Sequence, residues 1–384
     1  MRIVFKKGEI LIFTKKVRVL VEDTTWILPK VPPPNLLGMN GIHDINILEV
    51  LAHVALRTGL PLSQGFSLSD TWAWFRYLPA LSSSQWLKLR PEWTDLDSHQ
   101  KTILSDDLGM GFSSCILSDS LGLLAVCPTN YLVSQLSGLS FGPAGGKAGP
   151  KKSPDFIGVD SSRTLHIFEC KGTQKDHASL RNQFTKGRVQ KQNILTTSYF
   201  IGERLVSGIF IPQDQSNEDA LLLIQDPEFK IDLSKYDIES IILTIILGEL
   251  GSSLHLIGIP KLANCVANKK VIEDKYKERI LQDIDALYDV TYKGDVYKCM
   301  NQTYRYDSPE LIFGNREVYG IKLQAGFTEK LFMELLNPGD YSFFIDSYIK
   351  SMELGLLKWD IVNLDDSIII LTPLGLYIQI SVIH

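Results

Sequence analysis

Apolar positions along the chain fall into short alternating runs, continuous runs and helical stripes, and their order predicts an α/β protein. Ile10–Phe13 and Val17–Val21 are β-rich runs, and Pro29-Lys-Val-Pro-Pro-Pro34 breaks the pattern with an extended segment. Ile47, Leu48, Leu51, Ala52 and Leu56 share a helical face, which predicts a helix from about Asp44 to Thr58. Ser105 or Asp106 is placed to cap a helix running to about Leu121, and Leu123–Cys127 reads as a strand. Residues 140–153 are rich in Gly, Pro and Lys and read as a mobile loop. Two strand-like runs follow, Asp155–Asp160 and Thr164–Lys171. A helix is then expected over about Ala178–Leu195, strands over Ser198–Ile211 and Ala220–Gln225, and a helix from Asp237 to about Leu250.

Past Pro260 the character changes. Lys269–Leu287 is a charged amphipathic helix by its spacing, and Phe327–Leu336 and Tyr341–Leu356 read as helices. Ser367–Thr372 and Leu376–Val382 read as a closing pair of strands around Pro373-Leu-Gly. The pattern divides the chain into an N-terminal α+β region over 1–100, an α/β core over 101–260, and a C-terminal α+β domain over 261–384. The last is suited to partner, nucleic-acid or oligomer contacts. The aromatic segment Trp72–Tyr77, with Trp86 and Trp93, fits a core or interface better than a base-stacking platform.

Composition is ordinary for a globular protein, at 45% hydrophobic and 22% charged residues, so neither disulfides nor a structural metal are needed to fold it. Five scattered cysteines without Cys-x-x-Cys spacing predict reduced thiols in a cytoplasmic protein. No signal-peptide pattern opens the chain, and the longest apolar run, Ile241–Leu247, is too short to span a bilayer. No membrane partner is therefore expected. Charge changes the picture locally. Ten basic residues face four acids between Gly142 and Lys191, a balance of +6 in a chain whose net charge is −5. Such a concentration is the electrostatic footprint of a phosphate ligand.

That basic stretch contains Pro154-Asp155 and, after thirteen intervening residues, Glu169-Cys170-Lys171. Alternation along a strand puts Glu169 and Lys171 on one face and Cys170 on the other. A hairpin turning at Asp160–Arg163 would bring Asp155 beside Glu169. Two carboxylates suit Mg²⁺, which takes hard oxygen ligands and keeps several waters, with Mn²⁺ as a substitute. The Cys170 carbonyl is a candidate third ligand, and Lys171 a candidate to orient or deprotonate an attacking water. Glu-x-Lys also occurs at Glu228–Lys230 and Glu273–Lys275, but only Glu169–Lys171 ends an apolar strand and follows a Pro-Asp strand. On the next helix, Gln183, Lys186, Gln190 and Asn193 form a polar stripe flanked by Arg181 and Arg188, chemistry that suits phosphate contacts.

These residues resemble the signature of the PD-(D/E)xK nuclease superfamily, the restriction-endonuclease-like proteins, over roughly residues 105–260. The resemblance implies a mixed β-sheet core flanked by helices, in the order helix, strand, Asp strand, Glu-x-Lys strand, helix, strand. It implies metal binding by Asp155 and Glu169 and catalysis by Lys171. Gln190 resembles a polar residue that some members place beside the site. Many members carry a further acid on the preceding helix, for which Asp106, Asp107 and Asp119 are the candidates. The expected activity is metal-dependent hydrolysis of DNA phosphodiesters, as an endonuclease in restriction or anti-phage defence. A nuclease-fold binding or assembly subunit and an RNase are the alternatives. Cleaving two strands needs two sites, which points to a homodimer, and with no ATPase motor in the chain any translocation falls to a partner protein of a defence system. Competing chemistry is thin. Gly145-Gly-Lys147 lacks the remainder of a phosphate-binding loop, and the seven histidines show no metal-ligand spacing and read as structural or surface, with His177 the nearest to the motif.

Overall fold

Four strands with long buried runs, β5 (Phe156–Asp160), β6 (Leu165–Thr173), β8 (Ile201–Phe210) and β9 (Leu221–Gln225), form the middle of a seven-stranded mixed sheet. Apolar side chains on both faces of a strand require layers on both sides, and helices supply them. The computed structural model describes residues 13–62, 77–136, 139–141, 153–191, 194–196, 201–226, 238–313, 316–337 and 341–384. The sheet order is β2-β1-β9-β8-β6-β5-β3, with β1 at Thr14–Glu22, β2 at Gly41–Asn46 and β3 at Leu123–Pro128. Pairs β1/β9 and β6/β8 are parallel, and the other four are antiparallel. The chain is thus mixed α/β, with a seven-stranded mixed sheet flanked by helices.

Helices α1 (Ile47–Thr58) and α2 (Ser98–Leu121) lie on one face, and α3 (His177–Lys191) covers β6 and β8 from the other. Helix α2 begins seven residues before the expected cap. The Asp97 carboxylate accepts from the backbone N–H of His99 and Gln100, so the polar residues that follow still join the helix. Likewise Gly41–Asn46 is strand, paired with β1, and α1 starts at Ile47, capped by Asn46, rather than near Asp44. Helix α4 (Ile238–Leu256) is long and apolar enough to cross a membrane, yet 78% of its apolar window is buried inside the fold. It packs on β3 and α1 as a core helix.

The C-terminal region holds a second sheet, of which only the closing pair, at Ser367–Leu371 and Tyr377–Ile383, matches an expected strand pair. With β10 at Tyr288–Tyr292, β11 at Asp295–Phe313, β12 at Arg316–Thr328, β13 at Asp360–Asn363, β14 at Ser367–Leu371 and β15 at Tyr377–Ile383, its order is β10-β11-β12-β15-β14-β13, built on the antiparallel pair β11 and β12. Phe327, expected to open a helix, is a buried residue near the end of β12, and the helix starts at Glu329. The charged helix is shorter than expected, at Asp274–Asp285. β1 and β2 belong to the same sheet as the Asp155 and Glu169 strands, so the division expected near residue 100 does not fall at an edge of the sheet. One continuous apolar core includes Ile157 and Leu205 of the first sheet together with Ile321 and Ile378 of the second.

Candidate active site

The β5–β6 hairpin forms as the spacing predicts. Asp160 accepts at Oδ1 from the N–H groups of Ser162 and Thr164, each at 2.8 Å, and Arg163 takes a positive φ of 65°. Pairing starts at Val159 with Leu165 and ends at Phe156 with Phe168. β6 then runs on without β5 beside it, and Asp155 sits where the missing strand residue would be. Its Oδ2 accepts the Cys170 N–H at 2.7 Å, in place of a ladder bond. The Cys170 side chain turns to the opposite face, where it meets Ser113 of α2.

Glu169 and Lys171 face α3. Glu169 is fully buried, one of its oxygens pairs with the Lys171 ammonium, and Oε2 has no hydrogen-bond partner among the described residues. Two glycines set this geometry. A Cβ on Gly187 of α3 would lie 3.3 Å from Glu169 Cγ and 3.5 Å from Lys171 Cε, so the helix backbone closes directly over the pair. A Cβ on Gly172 would lie 1.7 Å from the Ser105 carbonyl oxygen, so α2 crosses β6 backbone to backbone. That crossing decides which upstream acid belongs to the site. Asp106, the residue after Ser105, is exposed at the rim and interacts electrostatically with both Lys171 and Asp155. Asp107 instead accepts the Tyr77 hydroxyl, and Asp119 interacts with His43.

The charges do not balance. Three carboxyls, Asp106, Asp155 and Glu169, surround one ammonium, a formal −2 when all are ionised. Burial, then the neighbouring Asp155 carboxylate, pushes the Glu169 carboxyl up to about 8 despite Lys171. Burial also raises Asp155, against the pull of Lys171 and of the Cys170 N–H, and raises Asp106. Burial pulls the Lys171 ammonium down, but the acids around it, Glu169 foremost and then Asp155, together more than offset it and the net shift is upward. A divalent cation is the species that would neutralise this set. An oxygen-only set of carboxylates with an unpartnered buried oxygen fits Mg²⁺ or Mn²⁺.

The expected phosphate contacts fare differently from one another. Arg181 forms an ion pair with Glu22 at 2.6 Å, and Arg188 donates to Gln225 Oε1 at 2.8 and 3.2 Å, so both guanidiniums are engaged by β1 and β9. Lys186 is exposed, and Gln183 is half-buried with its Oε1 unpartnered among the described residues. The side chain of Gln190, all of Asn193 and the lysines at 147, 151 and 152 lie outside the described residues. His177 packs against Phe210 with the rings tilted and their centroids 4.7 Å apart. Of the other Glu-x-Lys copies, Glu228–Lys230 lies outside the described residues, and Glu273 and Lys275 form an exposed ion pair at 2.6 Å. Sequence reasoning left the upstream acid open among three aspartates; glycines on both α2 and β6 were the available signal of a close crossing. Comparison with protein-family models, with curated proteins and with solved structures finds no match for the chain.

Proposed function

We propose that this chain is a Mg²⁺-dependent nuclease that hydrolyses DNA phosphodiester bonds, with Mn²⁺ able to substitute. The observation that carries the reading is the buried, unpartnered Oε2 of Glu169 beside the Asp155 carboxylate and the Lys171 ammonium. A buried carboxylate oxygen without a donor is costly, and a cation ligand removes that cost. The order α2, β3, β5, β6, α3, β8 is the one the PD-(D/E)xK resemblance implies and supports a restriction-endonuclease-like core.

Asp155, Glu169 and the Cys170 carbonyl would hold the cation, with Asp106 at the rim as the upstream acid. When bound, the ion supplies charge neutralisation at the phosphate and lowers the pKa of water. Asp155 is fixed by the Cys170 N–H, so its carboxylate is oriented before any ligand arrives. With Glu169 serving as a ligand, Lys171 would orient the attacking water and donate to the developing charge. Gln183 and Lys186 on α3 would position the nucleic-acid backbone. Arg181 and Arg188 would have to exchange Glu22 and Gln225 for phosphate to do the same. An endonuclease role in restriction or anti-phage defence, acting as a homodimer with a defence partner, is the setting this chemistry fits.

The test is incubation of the full chain with supercoiled plasmid and, separately, with RNA, in Mg²⁺, Mn²⁺ or chelator. Nicked and linear plasmid in the presence of metal, lost in Glu169→Ala and Lys171→Ala, is the expected result. Selective cleavage of RNA would make the protein an RNase. Plasmid and RNA both left intact, alone and with candidate partners, would favour a binding subunit. Full activity in either variant would show that the site is elsewhere.

A further inference from the structure

On the α1 side of α2, away from the nuclease site, a second group of ligand-type side chains meets. Oxygen, nitrogen and sulfur atoms of Glu49, His53 and Cys115 all lie within 4.8 Å of one another. Glu49 and His53 are four residues apart on α1 and so share a face; Cys115 comes from the facing helix. Gly111 lets the two helices meet this closely, since a Cβ there would lie 2.5 Å from Val54 Cγ2 and 2.9 Å from the Val50 carbonyl.

The surroundings favour a metal over an ordinary polar contact. All three side chains are buried, at 9%, 2% and 6% exposure. The Cys115 thiol donates to Glu49 Oε1 at 3.5 Å, a proton that a bound cation would displace. Arg57, one turn beyond His53, is already held by Glu249 at 2.7 Å. His53 Nδ1 lies 3.1 Å from Ser114 Oγ. A proton on Nδ1 donated to Ser114 leaves the Nε2 lone pair for a ligand, the outer partner that metal-bound histidines regularly have. Asp119, one turn past Cys115 on α2, is exposed and interacts with both Glu49 and Cys115, marking the solvent side of the group.

We propose that Glu49, His53 and Cys115 bind a borderline transition-metal ion of the Zn²⁺ class, which staples α1 to α2. One oxygen, one imidazole and one thiolate suit Zn²⁺, Co²⁺ or Fe²⁺ and not Mg²⁺. Around a tetrahedral ion with bonds of about 2.0–2.3 Å, ligand atoms sit roughly 3.4–3.6 Å apart. The three side chains therefore need to draw in by about 1 Å, within the reach of rotamer adjustment. Binding forms metal–oxygen, metal–nitrogen and metal–sulfur bonds and releases the thiol proton to solvent. Asp119 or a water completes the set. The sequence signal was Glu-x-x-x-His on an amphipathic helix, which a search for paired histidines or cysteines passes over.

The full chain, stripped with chelator, is titrated with Co²⁺ alone. The expected result is a sulfur-to-cobalt charge-transfer band saturating at one equivalent, bleached by Zn²⁺, with quenching of Trp359, whose ring lies 5.0 Å from His53. Cys115→Ser should reduce the band to baseline, and Trp359→Phe should keep the band while losing the quench. Glu169→Ala should leave the band unchanged, which separates this site from the nuclease site. No band in the unmodified protein would overturn the proposal whatever the variants do. So would a band that persists in Cys115→Ser. Should Cys115→Ser not fold, His53→Gln decides, with an undiminished band again overturning the assignment.

Discussion

Replacing Glu169 by Gln should stabilise the fold while abolishing cleavage. Glu169 is fully buried, and the same burial that would make its carboxylate a ligand disfavours its charge. Between the ordinary glutamate value of 4.5 and about 8, each pH unit is worth about 1.4 kcal/mol, which sets a ceiling of about 5 kcal/mol. Lys171 loses its partner in the variant, and Asp155 takes over only part of that pairing, so a gain of about 2–3 kcal/mol at high pH is the working figure. The direction follows from linkage. A carboxyl raised in the folded state contributes fully below the unfolded value near 4.5, and that contribution is lost as pH rises through about 8. The variant cannot ionise, so its advantage should be negligible near pH 4.5, grow through pH 6 and 7, and level off near pH 9. Urea unfolding of both proteins in chelator at pH 5 and pH 9 measures this directly. Adding Mg²⁺ should then stabilise the parent, by about 2.7 kcal/mol at a hundred times its dissociation constant, and leave the variant unmoved. A variant no more stable than the parent at pH 9, or an advantage that does not depend on pH, would refute the reasoning.

Lys171→Met should cut single-turnover cleavage by at least about a hundredfold while tightening Mg²⁺ binding by calorimetry, because the ammonium competes with the cation for Glu169. Asp106→Asn should weaken Mg²⁺ binding and lower cleavage in a way that excess Mg²⁺ restores, whereas Asp107→Asn and Asp119→Asn should leave the metal dependence as it is. Gly187→Ala should destabilise by about 1–2 kcal/mol net of the alanine's helix preference, since its methyl would stand 2.9 Å from Val206 Cγ1 and 3.3 Å from Glu169 Cγ. Its cleavage rate should fall further than its stability, read by comparing urea midpoints with initial rates.

The reach of the sequence differs from residue to residue for physical reasons. Asp155, Glu169 and Lys171 were legible because strand period and hairpin closure are local, and the pairing of Phe156 with Phe168 follows from them. The start of α2 was not, because Asp97 caps a polar stretch that carries no apolar stripe. β10 and β11 escaped because they alternate tyrosine and valine with polar residues on a largely open face, where the Lys293-Gly294 turn, both residues at positive φ, was the signal available; β12 alternates the buried Ile321, Leu323 and Ala325 with Lys322 and Gln324, a strand period that was there to be read. Long-range complementarity was invisible. Nothing near Arg181 or Arg188 announces that Glu22 and Gln225, on distant strands, hold them.

Those two arginines bear on how a substrate would be admitted. Glu22, Gln225, Arg181 and Arg188 form one linked set, since Gln225 also donates to Glu22. The two arginines of α3 are therefore held by the sheet in the free protein. A phosphate backbone approaching Lys186 would compete with a carboxylate for Arg181 and with an amide for Arg188. An amide acceptor is the weaker partner for a guanidinium, so Arg188 is the one more readily drawn to phosphate. Nucleic-acid binding would then free Gln225 and leave Glu22 to Arg181, placing one new positive charge over a site whose three carboxyls and one ammonium total −2 when ionised. On the proposed nuclease reading, that order would make charge delivery follow substrate arrival.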